Sequence, residues 1–198
     1  MNKTTESFSK SDESIAEKTW HWVNALIVAL NLCPFAKREI DLGRVRLMVW
    51  PHTQVADGLA NLIRECQWLD EHAQIETSLL VLPKMLDDFG DYLDFVELAE
   101  QLLSEQGYEG VYQLATFHPD YCFAGCNVDD VTNYTNRSPY PMLHLLREAS
   151  LEQAIEHYGD TNAIPERNVA LLKEMGLTKL QALLVKGESA TCERKKPA

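Results

Sequence analysis

Three short apolar runs, residues 45–50, 77–82 and 111–117, are separated by stretches whose apolar residues recur at helical spacing. Pro83 and Pro119 close the second and third runs, since a proline brings no amide to a strand ladder. Strands that alternate with helices pair in parallel through right-handed crossovers. A fourth apolar run, residues 142–148, follows a loop instead of a helix, so an antiparallel place is open to it; its pattern also fits a helix. The expectation is a compact α/β domain with a mixed sheet of about four strands and helices packed on it. A ferredoxin-like α+β arrangement of the later strands is the alternative.

The helical stretches carry their own punctuation. The first begins near Ser14, lays Trp22, Val23, Leu26, Ile27 and Leu30 on one stripe, and ends at Cys33-Pro34, because the residue before a proline is pushed out of the helical region. Thr53 can cap the second. The third runs from about Asp91 to Gly107. Ser150 and Gln153 form a capping-box pattern for a helix ending at Gly159, and Pro165 suits the first turn of one ending at Gly176. Polar stretches at residues 1–13 and 187–198 read as a disordered leader and tail around a single domain, residues 14–186.

The chain of 198 residues carries a net charge of −12, which argues against a nucleic acid as partner. Between Asp57 and Asp130 sixteen acids face only Arg64 and Lys84, so the bases gather elsewhere, as at Lys37, Arg38, Arg44 and Arg46. A small, locally positive site on an acidic protein suits a small anion. Five cysteines, an odd and sparse set, do not make a disulfide framework. The polar start lacks the apolar core of a secretory signal, and the best apolar run, residues 20–32, is too short to span a bilayer. These features point to a cytoplasmic protein with reduced thiols and no membrane partner. Nothing in the sequence sets an oligomeric state.

The segment between the third and fourth apolar runs, residues 118–141, is too long for an ordinary connector, and such loops are often functional. It holds His118, Tyr121, Asp130, Asn136 and Arg137, with His144 and Arg147 just beyond. The pairs Ser138-Pro139 and Tyr140-Pro141 keep the backbone beside Arg137 extended, which is a way to preorganise a guanidinium for a carboxylate or phosphate. An Arg137 that merely ties the loop to Asp129 or Asp130 is an equally good reading. His118 leaves a strand end just before a proline, where a general acid or base would sit. If residues 142–148 form a strand, His144 shares a face with Met142 and Leu146, and Arg147 points the other way. Cys33 ends a helix; a packed corner is its commoner role, and a nucleophile requires His118 or His144 within hydrogen-bond reach. The spacing His118-x3-Cys122-x3-Cys126 is allowed for zinc but weak, so no metal and no cofactor are expected.

Leu32-Cys33-Pro34-Phe35-Ala36, the stretch from Phe117 to Gly125, and the stretch from Asn133 to Glu148 together resemble a bacterial domain-of-unknown-function family, number 1415. The resemblance implies a bacterial setting and no activity. Its pattern takes in Cys33, His118, Tyr121, Asp130, Asn136, Arg137, His144 and Arg147, whereas positions 122 and 126 are not cysteines in it.

Two functions follow. One is a cytoplasmic enzyme of a small anionic metabolite, working by hydrolysis or group transfer, with His118 and Cys33 catalytic and Arg137, Tyr121, Asp130, Asn136, His144 and Arg147 binding substrate. The other is a non-catalytic metabolite- or protein-binding domain in which residues 118–148 act as a structural clasp.

Overall fold

Of the apolar runs, Val45–Val49 forms β1, Thr77–Val81 forms β2, Tyr112–Phe117 forms β3 and Met142–Arg147 forms β4. The computed structural model describes residues 10–185, and within them these strands make one sheet of order β1-β2-β4-β3. β1 and β2 are parallel, with Val45 opposite Thr77. β4 is antiparallel to both neighbours and sets His144 opposite Leu79 on one side and Ala115 on the other. Thus β1, β2 and β3 share one direction, and the fourth strand slots between β2 and β3 against it. The later strands do keep a ferredoxin-like feature, with β4 inserted antiparallel between β2 and β3, whereas the parallel β1–β2 pair makes the whole sheet mixed.

The helices are α1 (Lys10–Trp22), which continues as a π-helical turn over Val23–Val28, then α2 (Ala36–Asp41), α3 (Val55–Glu71), α4 (Phe89–Glu105), α5 (Glu148–Tyr158), α6 (Ala163–Met175) and α7 (Leu177–Val185). Strand side chains alternate between faces, so the sheet is buried on both. Leu80, Leu114, Leu143 and Leu145 pack with Leu62, Leu69, Tyr92 and Phe95 of α3 and α4. Val49, Leu79, Val81 and Met142 pack on the other face with Trp22, Leu26, Leu32, Leu172 and Leu180. The result is a three-layer α/β fold.

Several boundaries differ from expectation, each for a local reason. α1 begins at Lys10, taking residues 10–13 from the expected leader; Asp12 and Glu13 in its first turn suit the positive end of the helix dipole. The apolar stripe does not stay α-helical to Cys33. It passes through the π turn, and Asn31, in the left-handed region at φ 52°, closes the segment before the proline is reached. α3 is preceded by Gln54 with no side-chain cap, so Thr53 does not serve. Asp88 accepts from the amides of Gly90 and Asp91 at 2.8 and 3.1 Å, which starts α4 two residues early. α2 is too short to show a period, and α7 follows Gly176, whose φ of +71° lets one helix end and the next begin at once. Residues 1–9 of the leader and the whole of the tail lie outside the described residues.

One buried charge holds α3 to the sheet. The Glu65 carboxylate is 5% exposed; it accepts from the Ser78 hydroxyl at 2.6 Å and pairs with Arg46 Nε at 2.9 Å. The Arg46 guanidinium lies 3.8 Å from the centre of the Trp68 ring.

Where α3 meets α4 the close approach depends on Gly58. A Cβ there would lie 3.2 Å from Cε2 and Cζ of Phe95, a ring only 1% exposed. Alanine gains about 1 kcal/mol of helix propensity, but a packed ring cannot give way without overpacking costs of ~1–3 kcal/mol. Gly58→Ala is therefore expected to destabilise the fold by about 1 kcal/mol net, read as a lower urea midpoint. A midpoint that rises would show that the α3–α4 contact is looser than drawn.

Candidate functional site

The chain leaves β3 at its carboxyl end and returns to start β4, so residues 118–141 stay at the edge where ligands of α/β sheets gather. Hydrogen bonds stitch this segment down. His118 N–H donates to the Asn136 carbonyl at 3.2 Å, Ser138 N–H to the His118 carbonyl at 3.4 Å, and Asn136 Nδ2 to the Thr116 carbonyl at 3.0 Å. Asn133, wholly buried, accepts from Phe123 N–H and donates from Nδ2 to the carbonyls of Asn127 and Val128. Asp130 caps the 3-10 turn Val131–Thr135, and the Thr132 amide, with the Thr132 hydroxyl, holds its carboxyl below the usual carboxylate range.

His118 is fully buried against Phe89 and Tyr92, on the α3–α4 face. Its Nδ1 accepts from Asp120 N–H at 3.0 Å, which places the ring proton on Nε2, and that nitrogen donates to the Leu86 carbonyl at 2.9 Å. Neither nitrogen is left for a substrate. Leu86 itself sits at φ 63°, a conformation a leucine rarely adopts. Cys33 packs, half-buried, with the cluster on the opposite face of the sheet. The structure therefore does not bring His118 and Cys33 to one cavity, since they pack on opposite faces of the sheet.

The remaining candidates divide in the same way. Arg147 donates from Nε to the Ile75 carbonyl at 3.0 Å and from Nη2 to the Leu69 carbonyl at 2.5 Å, with Nη1 on the Tyr112 hydroxyl. It closes the negative end of α3 and is spent on architecture. Tyr121 packs its ring between Phe89 and Phe123. His144 does share its face with Met142 and Leu146, as its strand position requires. There Nε2 meets the Thr77 hydroxyl at 2.5 Å, and that hydroxyl donates to the Leu145 carbonyl. Desolvation pushes the His144 imidazole down to about 4.

Arg137 differs from these. Its Nε donates to the Tyr121 carbonyl at 3.1 Å and its Nη2 to the Val128 carbonyl at 2.7 Å, and the guanidinium stands 5.2 Å from the Tyr134 ring centre. No carboxylate pairs with it among the described residues, so neither Asp129 nor Asp130 closes the fork. Two anchored nitrogens fix the plane, and Nη1 has no partner among the described residues. Arg137 lines a cavity of about 460 Å³ with Lys18, His21 and Trp22 from α1, Pro119, Tyr134, Ser138, Pro139 and Tyr140 from the loop, and Leu184 from α7. The buried Trp22 fastens its wall: the indole N–H donates to the Arg137 carbonyl at 2.7 Å, and the ring meets Phe117 edge-on at 5.3 Å. His21 Nε2 lies 3.0 Å from the Leu183 carbonyl, tying α1 to α7.

No Asp or Glu lines this cavity, and Lys18 has no carboxylate partner among the described residues. A second cavity, of about 570 Å³ between α2, α5 and the amino ends of β1 and β2, provides the contrast. There Arg44 lies within 3.7 and 3.5 Å of Glu39 and Glu76, Arg38 pairs with Glu39, and Arg147, which also lines it, has all three guanidinium nitrogens on carbonyls or the Tyr112 hydroxyl. Of the eight candidate residues, only Arg137 lines the first cavity. The sequence reading missed Lys18 and His21, although Lys18, His21 and Trp22 stand at i, i+3 and i+4 and share one helix face. Among the described residues no helix is long and apolar enough to cross a membrane.

The profile of a family described as "Protein of unknown function (DUF1415)" matches residues 14–182. No curated protein and no solved structure matches the chain.

His144 gives the site region a pH signature. Its folded value near 4 lies below the unfolded one of ~6.5, so the unfolded chain takes up the proton first as pH falls. Its contribution to stability is full above pH ~6.5 and is lost progressively toward pH 4, by about 2 kcal/mol at pH 5. Urea midpoints at pH 7 and pH 5 should therefore fall further apart in wild type than in His144→Gln. Equal falls would mean that this imidazole is solvated.

Proposed function

The chain belongs to a family of proteins of unknown function (DUF1415), and from its geometry we propose that it binds a small anion in the cavity beside Arg137. One observation carries the reading. On a chain of net charge −12, a cavity with no acid among its described lining residues, and with an anchored Arg137 and a Lys18 that has no carboxylate partner among them, is where negative charge is drawn. The size supports a metabolite, since ligand pockets run from ~300 to 1,000 Å³. Arg137 is held by two backbone carbonyls and so meets an anion already oriented, with little ordering cost on binding. The geometry favours binding over hydrolysis or group transfer by His118 and Cys33, because neither residue reaches this cavity. The Ser138 hydroxyl is no substitute nucleophile, as it donates to the Tyr140 carbonyl at 2.6 Å. The sparse, odd set of cysteines favours a reducing cytoplasm as the setting.

Lys18→Gln and Arg137→Lys test the reading by calorimetric titration with carboxylates, phosphate esters and their uncharged analogues. Hydrogen bonds to charged groups contribute about 1.5–3 kcal/mol, so each change should weaken an anion that binds roughly ten- to a hundredfold. Lys18 is exposed, and its replacement should leave the melting temperature unmoved. Arg137→Lys should lower it as well, because the Tyr121 and Val128 carbonyls lose their donors. Anions that bind equally well to both variants would move the site elsewhere.

A further inference from the structure

The lining of the Arg137 cavity specifies more than a negative charge. Its two fixed cations come from different elements, Lys18 from α1 and Arg137 from the loop between β3 and β4. Both lack a carboxylate, so a ligand with a single negative charge leaves a net positive charge in the cavity. A phosphate monoester, which carries close to two negative charges at neutral pH and three acceptor oxygens, matches both.

The rest of the lining describes the ligand's body. Trp22, Tyr134 and Tyr140 present aromatic rings, Pro119 and Pro139 present prolyl rings, and Leu184 adds an aliphatic side chain. Two of the polar groups among the lining residues are already engaged: the Trp22 indole N–H on the Arg137 carbonyl and the Ser138 hydroxyl on the Tyr140 carbonyl. His21 is drawn toward α7 through the Leu183 carbonyl. A sugar, with a hydroxyl on nearly every carbon, would find few neutral polar partners beyond the Tyr134 and Tyr140 hydroxyls, and each of its hydroxyls buried unmatched costs free energy. A flat, weakly polar ring would lie against the ring faces without that cost. The cavity of about 460 Å³ is also far roomier than inorganic phosphate requires.

Resting on the anion-site reading above, we infer that the ligand of this cavity is a phosphate monoester borne on a flat aromatic or heteroaromatic ring. The phosphoryl group meets Arg137 and Lys18, and the ring lies among Trp22, Tyr134, Tyr140 and the two prolines.

The test titrates the full chain by calorimetry with four probes: phenyl phosphate, benzoate, glucose 6-phosphate and inorganic phosphate. Phenyl phosphate should bind at least tenfold more tightly than each of the other three, and Lys18→Gln should reduce that advantage over benzoate, because benzoate does not need the second cation. Benzoate binding as tightly as phenyl phosphate would overturn the phosphoryl assignment while leaving the anion site standing. Glucose 6-phosphate or inorganic phosphate binding as tightly would overturn the flat-ring body. A chain that binds none of the four would overturn the inference and the anion reading together. Tyr140→Ala supplies an independent check on the ring: it should weaken phenyl phosphate several-fold and leave inorganic phosphate unchanged. Equal loss for both would show that Tyr140 acts only through the shape of the loop.

Discussion

An antiparallel strand inserted between two strands of the opposite direction dictates much of this molecule. β4 can reach its place between β2 and β3 only if the chain, on leaving β3, turns at the carboxyl edge and comes back. The 24 residues that make this turn cannot bury themselves in the sheet, so their backbone groups must find partners among themselves. Asn133, Asn136, Asp130 and the ring of His118 provide many of those partners. A block of polar residues that resembles chemistry in a sequence is thus largely occupied in holding a loop flat against a sheet end. Arg137 takes part in that stitching and also faces a cavity, because only two of its nitrogens are needed for the stitching.

The parts of this fold visible in the sequence are those whose signal is local and repeated. The apolar runs at residues 77–82 and 142–148 pointed to strands, with a helix left open for the second, and the two-residue period of a strand set His144 and Arg147 on opposite faces. The stripe of α3 and the proline stops were equally plain. The terminators were harder. Gly159 and Gly176 were plain helix ends, but Asn31 closes a helix through one dihedral, the Asp88 side chain starts another by capping two amides, and a six-residue α2 shows no period.

The site was legible only in its loop half. Arg137 and its prolines announced a rigid guanidinium, but the helix half, Lys18 and His21, looked like an ordinary solvated face of α1 until the fold set it opposite the loop. The placement of His118 has a physical lesson. A histidine beside a proline at a strand end has a fixed backbone, which serves a buried linker as well as a base. What decides between them is whether backbone groups occupy both nitrogens, and here Leu86 and Asp120 do. The separation of Cys33 from His118 has a different cause, since sequence separation says nothing about which side of a sheet a corner will reach.

Glu65 bears on a different hazard, the sliding of an outer strand along its neighbour. Arg46 and Ser78 are directly opposed on β1 and β2, and one carboxylate from α3 holds both. A slip of β1 by one residue would turn Arg46 into the apolar layer beside Trp22 and present Val45 or Leu47 to a buried negative charge. The misaligned sheet is thereby excluded by electrostatics as well as by shape. The outermost strand, where a sheet is easiest to mispair or to join to a foreign chain, is in this protein pinned by a charge from the layer beneath.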